Sequence, residues 1–326
     1  MMPARQSFDF NLALQDAAQH ALPTPLDGVT ARLLERIRQG RFQRSLCLLV
    51  ASTSAASGLE VGYEHYKGSF SNPVIYTPVV LSGVLAVAGG LGFFSQRAAR
   101  TVLRTVSILT LADGAIGFFF HISGIARKPG GWRLPVTNIV MGPPIFAPLL
   151  FGTSAYLGLI ASHLRRENDS GGMDLGTALI DRVSRQDSRR WTNLRHGRSQ
   201  KHLCVVTIAW AFFSGLEALY SHYKTNFRYK AQWTPVLLAP LLMAVAAGGI
   251  LRRRIANTLL PAVSTLALAD GAVGFYYHAR GITRRAGGMK KPLYNILYGP
   301  PIFAPLLFAA CGLLGMMASL LRRERA

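Results

Sequence analysis

Acidic and histidine side chains stand at matching positions in two apolar halves of this chain. Members of each pair are separated by 157 residues: Glu60 and Glu217, His65 and His222, Asp113 and Asp270, His121 and His278. Glu64 has no such counterpart, because Ser221 takes its place. An ionisable side chain inside a bilayer costs about 2.5–3.5 kcal/mol on insertion scales, so groups kept in both halves need partners. These pairs are therefore the candidate site residues.

The residue types in each half suit a transition metal. Two imidazoles and one carboxylate bind Fe, Zn or Mn and leave positions for a substrate or water. At about 1.5 Å per residue, Glu60, His65 and His121 lie in the same half of the membrane, and Asp113 lies nearer its middle. The predicted ligands are Glu60, His65, His121, Glu217, His222 and His278. Asp113 and Asp270 are expected to accept protons beside the ligands, and Tyr63 and Tyr220 to hydrogen-bond the glutamates one helical turn away.

Haem b is a second hypothesis for the same histidines. The axial ligands would be His65 and His121 in the first half, and His222 and His278 in the second. Room for the macrocycle is predicted at Gly58, Gly62, Gly114 and Gly117, and Arg127 or Arg284 would meet the propionates. Haem does not require the acids, so a quinone that is protonated beside it would give them a use.

Two other functions stay open from the residues alone. A ladder of Asp113, Glu60, His121 and His65 could carry protons or cations in a coupled transporter. No polar trail continues from Asp113 to the other face in the sequence, however, which favours a site that opens on one side. Alternatively, the polar clusters are structural, in a non-catalytic membrane anchor subunit, although such contacts average only about 0.6 kcal/mol in membrane bundles.

Apolar blocks of membrane-spanning length position these residues. Half of the 326 residues are hydrophobic, 16% are charged and the mean hydropathy is +0.25, which argues against a soluble protein. Eight blocks approach the roughly 20 residues that cross a bilayer: 46–65, 76–95, 105–125, 144–163, 203–222, 233–250, 258–278 and 301–321. The predicted fold is an all-α membrane protein with eight transmembrane helices.

The eight helices are expected to form a tandem repeat. Residues 138–151 return as residues 295–308, with 12 of 14 positions identical. An even number of spans returns the chain to the same side, so two four-helix bundles related by a pseudo-two-fold axis along the membrane normal are predicted. The predicted divisions are an N-terminal cytoplasmic or interfacial segment at 1–37, transmembrane repeats at 38–164 and 195–326, and a basic cytoplasmic linker at 165–194. We also expect an amphipathic stretch at 29–38 and a short surface helix at 175–183.

The positive charge follows the pattern of a membrane protein. The net charge is +21, with 24 Lys and Arg on the side of the termini and 12 in the loops of the other side. This bias predicts cytoplasmic termini, and no cleavable signal peptide is found, so the bacterial inner membrane is the expected location. Lipid headgroups account for the charge, and no nucleic-acid partner is expected. The three cysteines form no CxxC motif, so neither a disulfide framework nor an iron–sulfur site is predicted.

The strings Glu60–Tyr66 and Gly142–Pro148 resemble those of bacterial integral membrane proteins of unassigned activity that have a tandem-duplicated four-helix unit. The resemblance covers nearly the whole chain and implies no particular reaction. The two-bundle layout is also similar to that of the quinone-reacting membrane anchors of bacterial respiratory reductases, an analogy of fold only. These features predict a membrane protein whose metal or haem exchanges electrons with quinone, a periplasmic redox partner or a membrane subunit.

Overall fold

The computed structural model describes residues 25–70, 72–168 and 189–324, and these residues are organised mainly as helices. The longer helices are α1 Pro25–Arg38, α2 Gln43–Lys67, α3 Tyr76–Phe94, α4 Arg104–Ala126, α5 Ala147–His163, α6 Gln200–Tyr223, α7 Thr234–Leu251, α8 Leu259–Thr283 and α9 Ala304–Leu320. Shorter helical segments include Gln96–Ala98, Ala99–Leu103, Pro135–Val140, Arg189–Arg195, Arg253–Asn257 and Pro292–Leu297. We refer to helices α2–α5 as the first unit and to helices α6–α9 as the second, because the helices pack mainly within each set.

Six of these helices are long and apolar enough to cross a membrane, namely α2, α3, α4, α6, α7 and α8. Their composition indicates a membrane protein. Helices α5 and α9 have 17 residues each. At about 1.5 Å per residue that is roughly 25 Å, which is less than the ~30 Å apolar core of a bilayer. Six of the eight predicted spans are therefore present as candidate membrane-spanning helices.

Prolines set where α5 and α9 begin. The sequence predicted starts at 144 and 301, but the helices begin at Ala147 and Ala304. Residues 142–146 and 299–303 form two irregular segments, which we call the Gly-Pro-Pro loops. The next proline in each copy falls in the first helical turn, where its missing N–H leaves no helical bond unmade. The end of the molecule with these loops is the loop end, and the opposite end is the terminal end.

Small residues allow the helices of each unit to pack closely. Helix α2 packs against α3 and α5, and α4 packs against α5. A Cβ added to Gly89 would lie 2.8 Å from the backbone nitrogen of Ala51, so only glycine permits this approach. Helix α5 lies at the centre of the first unit, where 12 of its 17 residues are buried. Large apolar side chains such as Phe94 and Phe119 are exposed on α3 and α4, which is consistent with contact to lipid.

The segment that follows the fourth helix of each unit caps the start of the first helix. Glu167 accepts hydrogen bonds from the backbone N–H groups of Arg44 and Ser45, at 3.1 and 2.9 Å. Glu324 accepts from two amides at the start of α6, at 3.0 and 2.8 Å. Carboxylates are favourable there because helix N-termini carry unpaired N–H groups and the positive end of the helix dipole.

The two units are in contact at the terminal end. Gly40 and Gly197 have φ angles of 73° and 68°, and a Cβ on Gly40 would lie 2.9 Å from the backbone nitrogen of Gly197. Helix α1 packs against α9, and the Arg322 guanidinium donates to the Arg38 carbonyl at 3.0 Å. The stretch predicted at 29–38 is therefore helical. The helix predicted at 175–183 and the first 24 residues lie outside the described residues.

Candidate functional site

The duplicated glutamates bind the opposite unit. Glu60, on α2, accepts a hydrogen bond from the Phe303 N–H at the start of α9, at 2.9 Å. Glu217, on α6, accepts one from the Phe146 N–H at the start of α5, at 3.3 Å. The first N–H groups of a helix have no partner within it, and the helix dipole favours a negative charge beside them. Each unit therefore supplies the cap for the fourth helix of the other.

Tyrosines accompany both glutamates. The Tyr63 hydroxyl lies close to the Glu60 carboxylate and accepts the Ile302 N–H at 3.1 Å. The Tyr220 hydroxyl lies close to Glu217 and the Ile145 backbone, but it makes no hydrogen bond with either. Tyrosine and glutamate are thus neighbours in both copies, since residues three apart share a helix face. In the first copy, Tyr63 adds a second polar contact to the start of α9.

The second histidine of each pair is held by a proline carbonyl. Nδ1 of His121 lies 2.6 Å from the Pro144 oxygen, and Nδ1 of His278 lies 2.5 Å from the Pro301 oxygen. A carbonyl can only accept, so Nδ1 carries the hydrogen in a neutral ring and Nε2 keeps its lone pair. His65 and His222 lie near enough to these rings for an electrostatic interaction.

These contacts regroup the predicted ligands. Pro144 and Phe146 are two residues apart in one Gly-Pro-Pro loop, so His121 and Glu217 are anchored to the same loop. His278 and Glu60 are anchored to the other loop. The sequence placed Glu60 with His65 and His121, but a separation of five residues turns Glu60 about 140° around α2 from His65. The carboxylate anchored to the same loop as His121 or His278 accordingly comes from the other unit.

The duplicated aspartates connect neighbouring helices of one unit. Asp113 accepts a hydrogen bond from the Thr77 hydroxyl at 2.6 Å, and Asp270 accepts one from the Thr234 hydroxyl. Each aspartate therefore joins the third helix of a unit to the first turn of the second. The sequence assigned these acids to proton transfer beside the histidines, whereas their hydrogen-bond partner in the structure is a threonine.

The glycines predicted to make room for a haem are used mainly for helix packing. A Cβ on Gly58 would lie 2.7 Å from the Ser82 Cβ, and one on Gly114 would lie 2.8 Å from the Pro148 oxygen. At Gly62 the nearest such atom is 4.0 Å away. Gly58 and Gly114 are therefore in contact with neighbouring helices, and the space that the haem hypothesis requires beside them is occupied by protein atoms.

The remaining predicted residues lie at the helix ends. Arg127 and Arg284 are exposed at the C-terminal caps of α4 and α8. Within the described ranges, no three His, Cys, Asp or Glu side chains are grouped so that they could hold a metal ion.

No protein-family model, curated protein or solved structure matches this chain. The glutamate, histidine and aspartate contacts recur at a spacing of 157 residues.

Further polar residues shape the site. The Asn138 amide donates to the carbonyls of Pro129 and Gly131, at 3.1 and 2.7 Å, and so fastens the turn before the Gly-Pro-Pro loop. Its duplicate Asn295 donates to the Gly288 carbonyl at 2.8 Å. Asn138 therefore acts as a turn residue. Thr77 was not predicted as a site residue. Its match with Thr234, 157 residues later, is the sequence signal that could have identified it.

Proposed function

We propose that this protein is a redox subunit of a bacterial inner membrane, with a transition-metal site at each Gly-Pro-Pro loop. His65 and His121 bind the metal at one loop, and His222 and His278 bind it at the other. Its helices form two four-helix units that are related by a pseudo-two-fold axis along the membrane normal, with both termini in the cytoplasm. The protein exchanges electrons with quinone or with a periplasmic protein.

One observation carries this proposal: the hydrogen bond from Nδ1 of His121 and of His278 to a proline carbonyl. Metal-binding histidines commonly donate their other ring N–H to a carbonyl or carboxylate, which orients the ring and raises the basicity of the ligating nitrogen. His163 and His196 also place Nδ1 at a carbonyl, but at the one four residues earlier in the chain, whereas the bonds of His121 and His278 reach a loop and recur in both copies. The second imidazole of each unit lies close to the anchored one and completes a pair of ligands.

The architecture is supported by reciprocal contacts between the units. Glu60 contacts Phe303, and at the matching positions Glu217 contacts Phe146. Gly40 lies beside Gly197, which is its own counterpart in the second copy. Contacts of this kind are expected across a two-fold axis, because the same surface is used on both sides.

The surroundings of the histidines favour a compact ion over a haem. The packing at Gly58 and Gly114 leaves less room for a macrocycle than the sequence implied. Iron or manganese is the ion that fits a redox role, since zinc has no redox chemistry. A bound iron or manganese would supply one-electron transfer. The chain's own part is to orient His121 and His278 and to place Glu217 and Glu60, respectively, at the same loops.

Metal analysis and an absorption spectrum of the purified full-length protein test this proposal. We expect about two equivalents of iron or manganese per chain and no Soret band. His65→Ala with His121→Ala should remove one equivalent, and His222→Ala with His278→Ala should remove the other. His196→Ala, outside both sites, should retain both equivalents. A Soret band that is lost in these double variants would assign haem b instead, and the absence of both metal and haem would refute the proposal.

A non-catalytic anchor subunit is the second candidate, because the acids already have structural partners. Glu60 and Glu217 cap helices, and Asp113 and Asp270 bind threonines. In that case the histidine variants lose stability but no bound metal. Coupled transport of protons or cations stays a hypothesis from the sequence, to be tested by ion flux in proteoliposomes.

A further inference from the structure

The two sides of the contact between the units are not equivalent. On one side, α5 of the first unit meets α6 of the second, and aromatic rings fill the contact. The Trp210 indole lies 5.6 Å from the Tyr156 ring and donates to the Thr153 hydroxyl. One turn further along α6, Phe213 stacks on Phe146 at 5.2 Å. We call this the sealed side.

On the other side, α9 of the second unit faces α2 of the first, and the matching residues are small or aliphatic. Thr53 stands in the place of Trp210, and Ala56 in the place of Phe213. Ala310 replaces Thr153, and Leu313 replaces Tyr156. We call this the open side. Its helix α2 has two aromatic side chains fewer than α6 has on the sealed side, and no hydrogen bond between tryptophan and threonine forms there.

Burial agrees with looser packing on this side. On α5, 12 of 17 residues are buried, but on α9 only seven of 17 are. Gly152 and Thr153 are buried, whereas their counterparts Ala309 and Ala310 are partly exposed. We call the region between α2 and α9 beside these small residues the groove, and the hydrogen bond from the Phe303 N–H to Glu60 joins its two walls at the loop end.

We propose that this groove binds a membrane quinone. Its α2 wall belongs to a helix long and apolar enough to span the bilayer and its α9 wall is apolar, so an occupant enters from the lipid phase. The space is that of the aromatic side chains on the sealed side, which suits a flat ring with an apolar tail and not a whole helix, whose diameter is about 10 Å. Thr53 and Ala56 adjoin the ring, and Glu60 and Tyr63 lie one to two turns away. The Tyr63 hydroxyl can donate to a carbonyl of the oxidised ring, and the Glu60 carboxylate can accept from a hydroxyl of the reduced ring.

The proposal also makes the two metal sites unequal. The open groove leads to Glu60, which is anchored at the same loop as His278, so the quinone approaches the second unit's histidine pair. This consequence rests on the proposed redox function. The binding of quinone does not, and it is measured separately.

Photolabelling of the full-length protein in nanodiscs with an azido-ubiquinone tests the groove. We expect labelled peptides from α2 and α9 and none from the matching parts of α5 and α6. Thr53→Trp with Ala56→Phe, which installs the rings of the sealed side, should lower labelling roughly tenfold or more. Leu48→Trp with Ala55→Phe places the same side chains at exposed positions of α2 and should leave labelling unchanged.

Equal labelling of both sides, no labelling, or full labelling of the groove-filled variant would overturn the proposal. So would displacement of the label by phosphatidylglycerol as readily as by unlabelled quinone, because the groove would then be a phospholipid site. Metal content separates this outcome from the proposed function. Label in the groove of a protein without metal would refute the redox centre alone, and metal without label would refute the groove alone.

Discussion

Removing both glutamate caps should weaken the association of the two units. We predict this for Glu60→Ala combined with Glu217→Ala, in a chain with a protease site inserted between Gly171 and Gly172. After cleavage, the two units are held only by non-covalent contacts. In the wild type these contacts include two crossed hydrogen bonds. The Glu60 carboxylate accepts the Phe303 N–H at 2.9 Å, and the Glu217 carboxylate accepts the Phe146 N–H at 3.3 Å.

The expected size follows from helix capping. Loss of an N-cap acceptor costs about 0.5–2 kcal/mol, and two such losses at separate positions should add to about 1–4 kcal/mol. The dissociation constant of the cleaved units should therefore rise by a factor of about 5 to about 1000. Glu60→Gln with Glu217→Gln keeps an acceptor oxygen and should lose less, because only the charge at the helix terminus disappears.

Energy transfer between dyes on the two cleaved units, followed on dilution in detergent micelles, measures this constant. The control is Glu64→Ala, on the same helix as Glu60. Glu64 pairs with Lys67 of its own helix at 2.7 Å and is partly exposed, so its loss should cost between about 0 and 1 kcal/mol of stability and leave association unchanged. If the double alanine variant associates as tightly as the wild type, or if Glu64→Ala weakens association equally, the reciprocal caps are not what holds the units together.

Two further predictions concern packing within the first unit, and thermal unfolding in detergent measures both. Gly114→Ala should destabilise the protein by about 1–3 kcal/mol, because its Cβ would lie 2.8 Å from the Pro148 oxygen, whereas Gly83→Ala, with no atom within 4 Å, should not be destabilising. Thr77→Val should cost about 1.5–3 kcal/mol because Asp113 loses its donor, and Thr77→Ser should restore most of this; equal loss in both variants would contradict the assigned hydrogen bond.

The sequence predicted the helices well but did not predict which unit each polar group serves. The spacing from Glu60 to Tyr63 indicated that the two side chains are neighbours, because residues three apart share a helix face. The partner of Glu60 could not be read in the same way, since Phe303 lies 243 residues away and is reached only through the packing of one unit on the other. Helical spacing showed that Glu60 and His65 point in different directions, but it does not identify the neighbouring loop.

Two other differences have identifiable causes. The start of α5 at Ala147 depends on how many residues of the Gly-Pro-Pro loop stay irregular, which hydropathy does not reveal. The aromatic side chains of the sealed side were overlooked for a different reason. Comparison of the two copies emphasises residues that recur, and Trp210 and Thr53 do not. Residues that differ between the two halves are therefore not identified in this way.

The crossed glutamate caps constrain how the two copies can evolve. A substitution in the Gly-Pro-Pro loop of one copy must remain compatible with the glutamate of the other, so neither copy can diverge freely at these positions. Residues 138–151 and 295–308 differ at only two of 14 positions, whereas Glu64, which contacts its own helix, is matched by Ser221 in the second copy. A change on one side of a crossed cap therefore needs a compatible residue on the other side.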